Sequence, residues 1–185
     1  MIKKMIPDYY YKTIYDIPFN KLYEEGIRLI LTDLDNTLIS YQEELPNEKL
    51  FELKDKLNKM GFEFILVSNS KKNRVDKFAS NYQIPYVKFS LKPLKRGIKK
   101  AITKIASKKY NDNEIVLLGD QLMTDVFGAK RCNITAILIE AIDKSTDIGP
   151  TQFNRKLERF FIKRIKKKYP KLYQERLMEY DTKKV

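Results

Sequence analysis

Asp33 and Asp35 stand two residues apart, just past the short apolar run Ile27 to Thr32. Two carboxylates so close to a buried strand are costly unless something neutralises them. A hard divalent cation does so, and Mg²⁺ takes few protein carboxylates, keeping water or phosphate as its other ligands. Groups of matching chemistry recur downstream. Ser68-Asn69 follows the run Phe62 to Val67, and Lys92-Pro93 follows Tyr86 to Phe89. Gly119-Asp120-Gln121-Leu122-Met123-Thr124-Asp125 follows Glu114 to Leu118. Singly, each has an ordinary reading: Asp-x-Asp and Gly-Asp occur in turns, serine caps helices, and a lone lysine is a solvated charge. Together, at four successive strand ends, they supply the carboxylates, hydroxyl and point positive charge that a phosphate–Mg²⁺ site needs.

Composition removes most competing chemistries. The chain of 185 residues has no histidine and one cysteine. That excludes His-nucleophile phosphatases, Ser-His-Asp hydrolases and His-rich zinc sites. Cys132 has Leu138 six positions later, where a Cys-x5-Arg phosphatase loop carries arginine. Cys132 reads instead as a small buried residue. A lone cysteine allows no internal disulfide, which fits a reducing cytosol. Hydrolysis would therefore rest on carboxylates, hydroxyls, lysines and metal.

The elements that must position these groups alternate regularly. Helical spacing runs from Asn47 to Met60, through Leu50, Leu53 and Leu57, with Gly61 as its stop. Further helices are predicted over Ser70 to Tyr82, Leu94 to Ser107 and Gln121 to Arg131, and a fifth strand over Ile134 to Ile139. Strand–helix alternation of this kind predicts an α/β fold, a five-stranded parallel sheet covered on both faces. Such sheets bind ligands at the carboxyl ends of their strands. Residues 1–25 read as an extended N-terminal arm with a short helix around Asn20 to Glu25. Residues 26–149 form the core, and 150–185 a basic C-terminal helical extension.

The series Asp33-Leu34-Asp35-Asn36-Thr37-Leu38, Ser68-Asn69, Lys92-Pro93 and Gly119-Asp120-Gln121 with Thr124-Asp125-Val126 resembles the four motifs of the haloacid dehalogenase (HAD) superfamily. In detail, together with Gly26-Ile27, it is similar to the YqeG-like branch of subfamily IIIA, over roughly residues 5 to 142. Mitochondrial phosphatidylglycerophosphate phosphatases look like relatives of that branch. The sequence departs at Ala129-Lys130, where Gly-Asn is usual, and at Ser90-Leu91, where a small residue usually precedes the lysine. The resemblance implies a HAD-like Rossmannoid three-layer sandwich and a Mg²⁺-dependent phosphatase. In it, Asp33 is the nucleophile that forms an aspartyl-phosphate. Asp35 is general acid and then base, and gives its backbone carbonyl to the metal. Asp120 is the third protein ligand, with Asp125 ligating directly or through water. Lys92, the Ser68 hydroxyl, Asn69 and backbone N–H groups including that of Leu34 hold the phosphoryl oxygens, while Thr37 orients Asp35. About 32 residues separate Asp35 from Ser68 and about 23 separate Ser68 from Lys92, which leaves no room for a cap domain. The expected cleft is open and suits a large phosphorylated substrate, phosphatidylglycerophosphate among them.

Of the net charge of +13, residues 150–185 hold twelve Lys/Arg against four Asp/Glu. Phe153, Leu157, Phe160, Phe161 and Ile165 recur at helical spacing, and Pro170 should end that helix. The ordinary reading is a helix packed on the core with a solvated basic face. The sharper ones place it on an anionic membrane or on RNA. A second functional class follows from these: a membrane-, ribosome- or RNA-binding scaffold on the same fold with weak or no hydrolysis. No run is long and apolar enough to span a bilayer, and no apolar stretch follows basic Met1 to Pro7 as a signal peptide requires. The expected location is the cytoplasm, with any membrane contact peripheral.

Overall fold

The computed structural model describes residues 2–71, 73–146 and 149–182. Among them, six strands form one sheet: β1 (Tyr9–Tyr11), β2 (Leu29–Thr32), β3 (Glu63–Val67), β4 (Tyr86–Val87), β5 (Ile115–Gly119) and β6 (Thr135–Ile139). All pairings are parallel, in the order β1-β6-β5-β2-β3-β4. β2 and β5 are buried along their whole length, as strands covered on both faces must be. The chain leaves β2 toward β3 and β4, then returns to build β5 and β6 on its other side. The switch point thus lies between β2 and β5. Thr32 pairs with Leu118, so Asp33 and Asp120 emerge side by side.

One face of the sheet carries α1 (Phe19–Glu24), α2 (Glu48–Lys59) and α3 (Asn73–Tyr82). Leu50, Leu57, Phe78 and Tyr82 pack there on Ile30, Phe64, Leu66 and Val116. Asn47 caps α2 by accepting from the Leu50 N–H at 3.0 Å, and Gly61, at φ +86°, turns the chain back into β3. The other face carries α4 (Lys95–Lys100), α5 (Phe127–Arg131), α6 (Gly149–Lys168), α7 (Pro170–Arg176) and α8 (Met178–Thr182). Two π-helical turns belong to this layer, Ala101–Ile105 after α4 and Leu122–Val126 before α5. The result is the expected three-layer α/β sandwich.

Two expectations need correction. The sheet has six strands, not five, because the N-terminal arm supplies β1 at the edge beside β6. Its three tyrosines are only half-buried, so the continuous apolar run that marks a central strand is missing. Asp8 fixes this edge, accepting from the Ala136 N–H at 2.9 Å and pairing with Lys130 at 2.5 Å. The C-terminal helix also buries a different stripe from the one its apolar spacing suggests. Phe153 and Phe160 are 61% and 50% exposed, whereas Thr151, Arg155, Glu158, Ile162 and Ile165 are buried. These five follow a 4-3-4-3 spacing along one helical face. Its first three members are polar, so an apolar pattern cannot reveal it. Pro170 does end α6, and it starts α7 at its first position.

Ile162, Ile165, Tyr173, Leu177 and Tyr180 join the same core as β2 and β5. Ile162→Ala should therefore lower stability by about 3 kcal/mol, through lost transfer free energy and a residual cavity. Urea unfolding measures this, and a change within about 0.5 kcal/mol would mean that α6 is an appendage.

Candidate active site

Four loops at the carboxyl ends of the strands converge on a cleft of about 440 Å³, whose lining includes Asp33, Asp35, Asn69, Lys92, Gln121 and Thr124. The Asp33 N–H continues the ladder onto the Leu118 carbonyl at 3.0 Å. The chain then doubles back on itself. Asn36, at φ +61°, donates its N–H to the Ile39 carbonyl, and the N–H groups of Thr37, Leu38 and Ile39 all close on the Leu34 carbonyl. Asparagine is among the few side chains that tolerate this left-handed geometry.

Lys92 is the electrostatic centre. Its Nζ lies 2.8 Å from Asp33 Oδ1 and 2.8 Å from Asp125 Oδ1, and all three side chains are buried. Burial depresses the ammonium, but Asp125 and Asp33 more than offset it and raise its pKa. The backbone at Lys92 is clamped by Asn69, whose Oδ1 accepts from the Lys92 N–H at 2.7 Å while Nδ2 donates to the Lys92 carbonyl at 2.9 Å. Asp125 sits in the π-helical turn, its Oδ2 accepting from the Gln121 N–H and the Thr124 hydroxyl, each at 3.2 Å. Gly119 makes room for it. A Cβ at that position would lie 2.2 Å from Asp125 Cγ.

Asp33, Asp120 and Asp125 each bring one carboxylate oxygen within 4.8 Å of the others, all buried. Asp120 Oδ1 has no hydrogen-bond partner among the described residues. A buried, unsatisfied carboxylate oxygen within an all-oxygen cluster fits a hard divalent cation. Burial raises all three carboxyl pKa values. Asp33 rises despite Lys92, Asp120 rises to about 8 despite Arg155, and Asp125 rises to about 6 despite Lys92. When ionised, the four site aspartates and Glu158 set five negative charges against Lys92, Arg74 and Arg155. The remainder is the charge of one divalent cation.

The structure thus brings Asp33, Asp35, Asn69, Lys92, Asp120 and Asp125 together. Leu34 directs its N–H to the Asp33 carboxylate. Asp35 lies outside the three-carboxylate cluster, its Oδ1 paired with Arg74. Ser68 is fully buried and its Oγ accepts from the Ser70 N–H at 3.1 Å, so Asn69 and Ser70, not Ser68, line the cleft. The buried Thr37 hydroxyl has no hydrogen-bond partner among the described residues.

Sequence reasoning missed several groups. Arg74 of α3 joins Asp35 to the carbonyls of Ser40 and Glu43. Its place in the first turn of the helix after Ser68-Asn69 was the available signal. The far wall of the cleft comes from Tyr41 and from Thr151 and Asn154 of α6, with Tyr41 and Thr151 joined hydroxyl to hydroxyl at 3.2 Å. The expected open mouth is therefore partly roofed. Arg155 of α6 pairs with Asp120. These groups approach from remote segments, and no local pattern marks them.

Carboxylates, a buried lysine and a cation-fitting cluster thus meet at the switch point of a parallel sheet, the kind of site that a phosphatase requires. The family model for mitochondrial PGP phosphatase matches residues 2–142, and the chain belongs to that family. It is 34% identical over 169 residues to "Probable phosphatase YqeG" of Bacillus subtilis (strain 168), covering 91% of this chain and 96% of that protein. Similar solved structures include "Structure of putative HAD superfamily (subfamily III A) hydrolase from Legionella pneumophila" (20% identity, TM-score 0.41, 56% of this chain and 61% of that one). Another is the 3-deoxy-D-manno-octulosonate 8-phosphate phosphatase of Moraxella catarrhalis with magnesium and phosphate ions (15%, TM-score 0.42, 78% and 91%).

Two outcomes follow from this geometry. Gly119→Ala should push Asp125 out of the cluster, lowering stability and abolishing the Mg²⁺-dependent rise in Tm expected of the native protein. An unchanged Mg²⁺-induced rise would separate Asp125 from the metal site. The raised carboxyl pKa values also have a definite sign. Their stabilising contribution is complete below the ordinary value of 3.8 and is lost as pH climbs through about 6 and then about 8. A cation held by the three carboxylates would replace those protons. Mg²⁺ should then raise Tm more at about pH 8.5 than at about pH 5.5, as read by scanning calorimetry. Equal shifts would contradict competition between protons and metal.

Proposed function

We propose that the protein is a Mg²⁺-dependent phosphomonoesterase working through an aspartyl-phosphate. The observation that carries this reading is the buried cluster of Asp33, Asp120 and Asp125 with Lys92 between two of its members, at the floor of a cleft. Asp33, Asp120 and Asp125 would hold the cation, with the Asp35 carbonyl. When bound, Mg²⁺ would neutralise charge on the phosphoryl oxygens. Asp33 attacks phosphorus in line, its carboxylate held by Lys92 and the Leu34 N–H. Lys92 then carries the charge of the transferred group. Asp35 protonates the leaving oxygen and later activates water, and Arg74, its partner, gives the cleft a second cation.

A cleft of about 440 Å³ is within the range of small-ligand sites. It admits a phosphorylated headgroup and leaves acyl chains outside, which supports phosphatidylglycerophosphate as the substrate. The family description points the same way. Among the described residues no helix is long and apolar enough to cross a membrane. The exposed face of α6, with Phe153, Lys156, Phe160, Lys163, Arg164 and Lys167, is the surface we assign to an anionic membrane. RNA is the other polyanion such a face suits. A scaffold without hydrolysis is disfavoured, since such a role would not need buried carboxylates held around Lys92.

The test is phosphate release from an aryl phosphate and from phosphatidylglycerophosphate in mixed micelles, with Mg²⁺ and with chelator. Turnover should require Mg²⁺, and Asp33→Asn should reduce kcat by roughly 10³-fold or more. Chelator-resistant turnover, or an active Asp33→Asn enzyme, would overturn the mechanism. Silence on both substrates would favour the scaffold.

A further inference from the structure

The family model ends at residue 142, yet a buried polar cluster from beyond that point grips the metal loop. Arg155 NH2 pairs with Asp120 Oδ2, and Arg155 NH1 donates to the Asp120 carbonyl at 2.7 Å. Glu158, fully buried, accepts from the Leu122 N–H at 2.6 Å. Tyr180 of α8 donates toward Glu158 Oε2 at 3.2 Å and approaches the Asp120 carbonyl at 3.4 Å. The loop Asp120 to Leu122 is therefore held by side chains of α6 and α8 as well as by its own backbone.

We propose that Arg155, buttressed by Glu158 and Tyr180, is a positioning residue of the metal site. It engages Asp120 at Oδ2 and at the main-chain carbonyl, which leaves Oδ1 as the single oxygen for the cation. The planar guanidinium spans Asp120 Oδ2 and the Asp120 main-chain carbonyl at once, tying the side chain to its own backbone in a way that one ammonium cannot. Glu158 balances the charge of Arg155, at 3.6 Å from NH1, so the pair adds no net charge beside the cation. The same face of α6 also carries Thr151 into the cleft wall. Docking of the C-terminal helices and affinity for metal are thus coupled, and each should strengthen the other. The inference rests on the reading of Asp33, Asp120 and Asp125 as the metal ligands.

Mg²⁺ affinity of the full chain, measured by isothermal titration calorimetry, tests it. Arg155→Gln should weaken Mg²⁺ binding by about tenfold or more, the usual effect of losing a group that orients a metal ligand. Arg155→Lys should recover only part of the loss. With Mg²⁺ saturating, KM for an aryl phosphate should stay at the native value, while the Mg²⁺ concentration for half-maximal rate rises with the dissociation constant. A merely structural role would lower Tm and leave that concentration unchanged. Unchanged affinity in a folded Arg155→Gln protein would overturn the proposal. So would tighter binding, which would make Arg155 a competitor of the metal. If Arg155→Gln does not fold, Tyr180→Phe decides, because it removes one hydroxyl and keeps the ring packing. Weaker binding supports the proposal and native affinity overturns it. A native protein that binds no Mg²⁺ would instead sink the metal reading itself, a failure distinguishable from the others.

Discussion

The fold is organised around a cost: three carboxylates buried within a few ångströms of each other at the ends of β2 and β5. Like charges in a poorly solvated site repel strongly and lose their hydration. Lys92 is the first compensation, and much of the local structure serves to place it. Two left-handed residues, Phe89 and Leu91, bend the chain after β4 toward the centre of the cleft. The Asn69 amide then locks the lysine backbone from both sides. Gly97 lets α4 lie against Ser90, where a Cβ would sit 2.2 Å from the serine carbonyl. Arg74 and Arg155 provide the other fixed cations from opposite faces of the sheet.

Each compensation is also a constraint on motion. Arg74 holds the segment Ser40 to Glu43 against Asp35, and the Tyr41–Thr151 hydrogen bond carries that segment across to α6. The cleft is therefore walled by two elements that meet above Asp33, although no cap domain is inserted among the described residues. Burial pushes the Tyr41 hydroxyl up to about 12, so it bridges to Thr151 as a neutral donor or acceptor at physiological pH.

Much of this was legible in the sequence. The strands β2, β3, β5 and β6 announced themselves as short apolar runs, because parallel strands buried on both faces leave no room for alternation. Asp33, Asp35, Lys92, Asp120 and Asp125 were readable because each lies in the segment that leaves the end of a strand, and a parallel sheet gathers its carboxyl ends. β1 was hidden by its half-exposed tyrosines. Arg155 and Glu158 were hidden more deeply. They belong to a segment dominated by lysine and arginine, where two charged residues look like solvated surface. Only the three-dimensional arrangement shows that they lie beneath Asp120. Phe153 and Phe160 misled in the opposite sense, being apolar and exposed. Ser68 stands where the motif requires, but it is fully buried, its oxygen accepting from the N–H of Ser70 in the turn that follows.

The pairing of β1 with β6 has a consequence for how the chain comes together. Tyr10 finds its partner only at Leu138, so about 130 residues must be looped out before the sheet edge can close. Closing such a loop costs about 4 kcal/mol of chain entropy. The far end of the protein then seals the same corner. Arg176 donates to the Pro7 carbonyl at 3.2 Å and lies 3.6 Å from Asp8, and Tyr180 packs edge-on against Tyr10. On a ribosome, the central strands and the loop that carries Asp33 would emerge long before these fastenings. The nascent polypeptide thus passes through a stage with Asp33 and Lys92 already synthesised and Asp120 not yet anchored, and the carboxylate cluster is completed late, as a property of the finished fold.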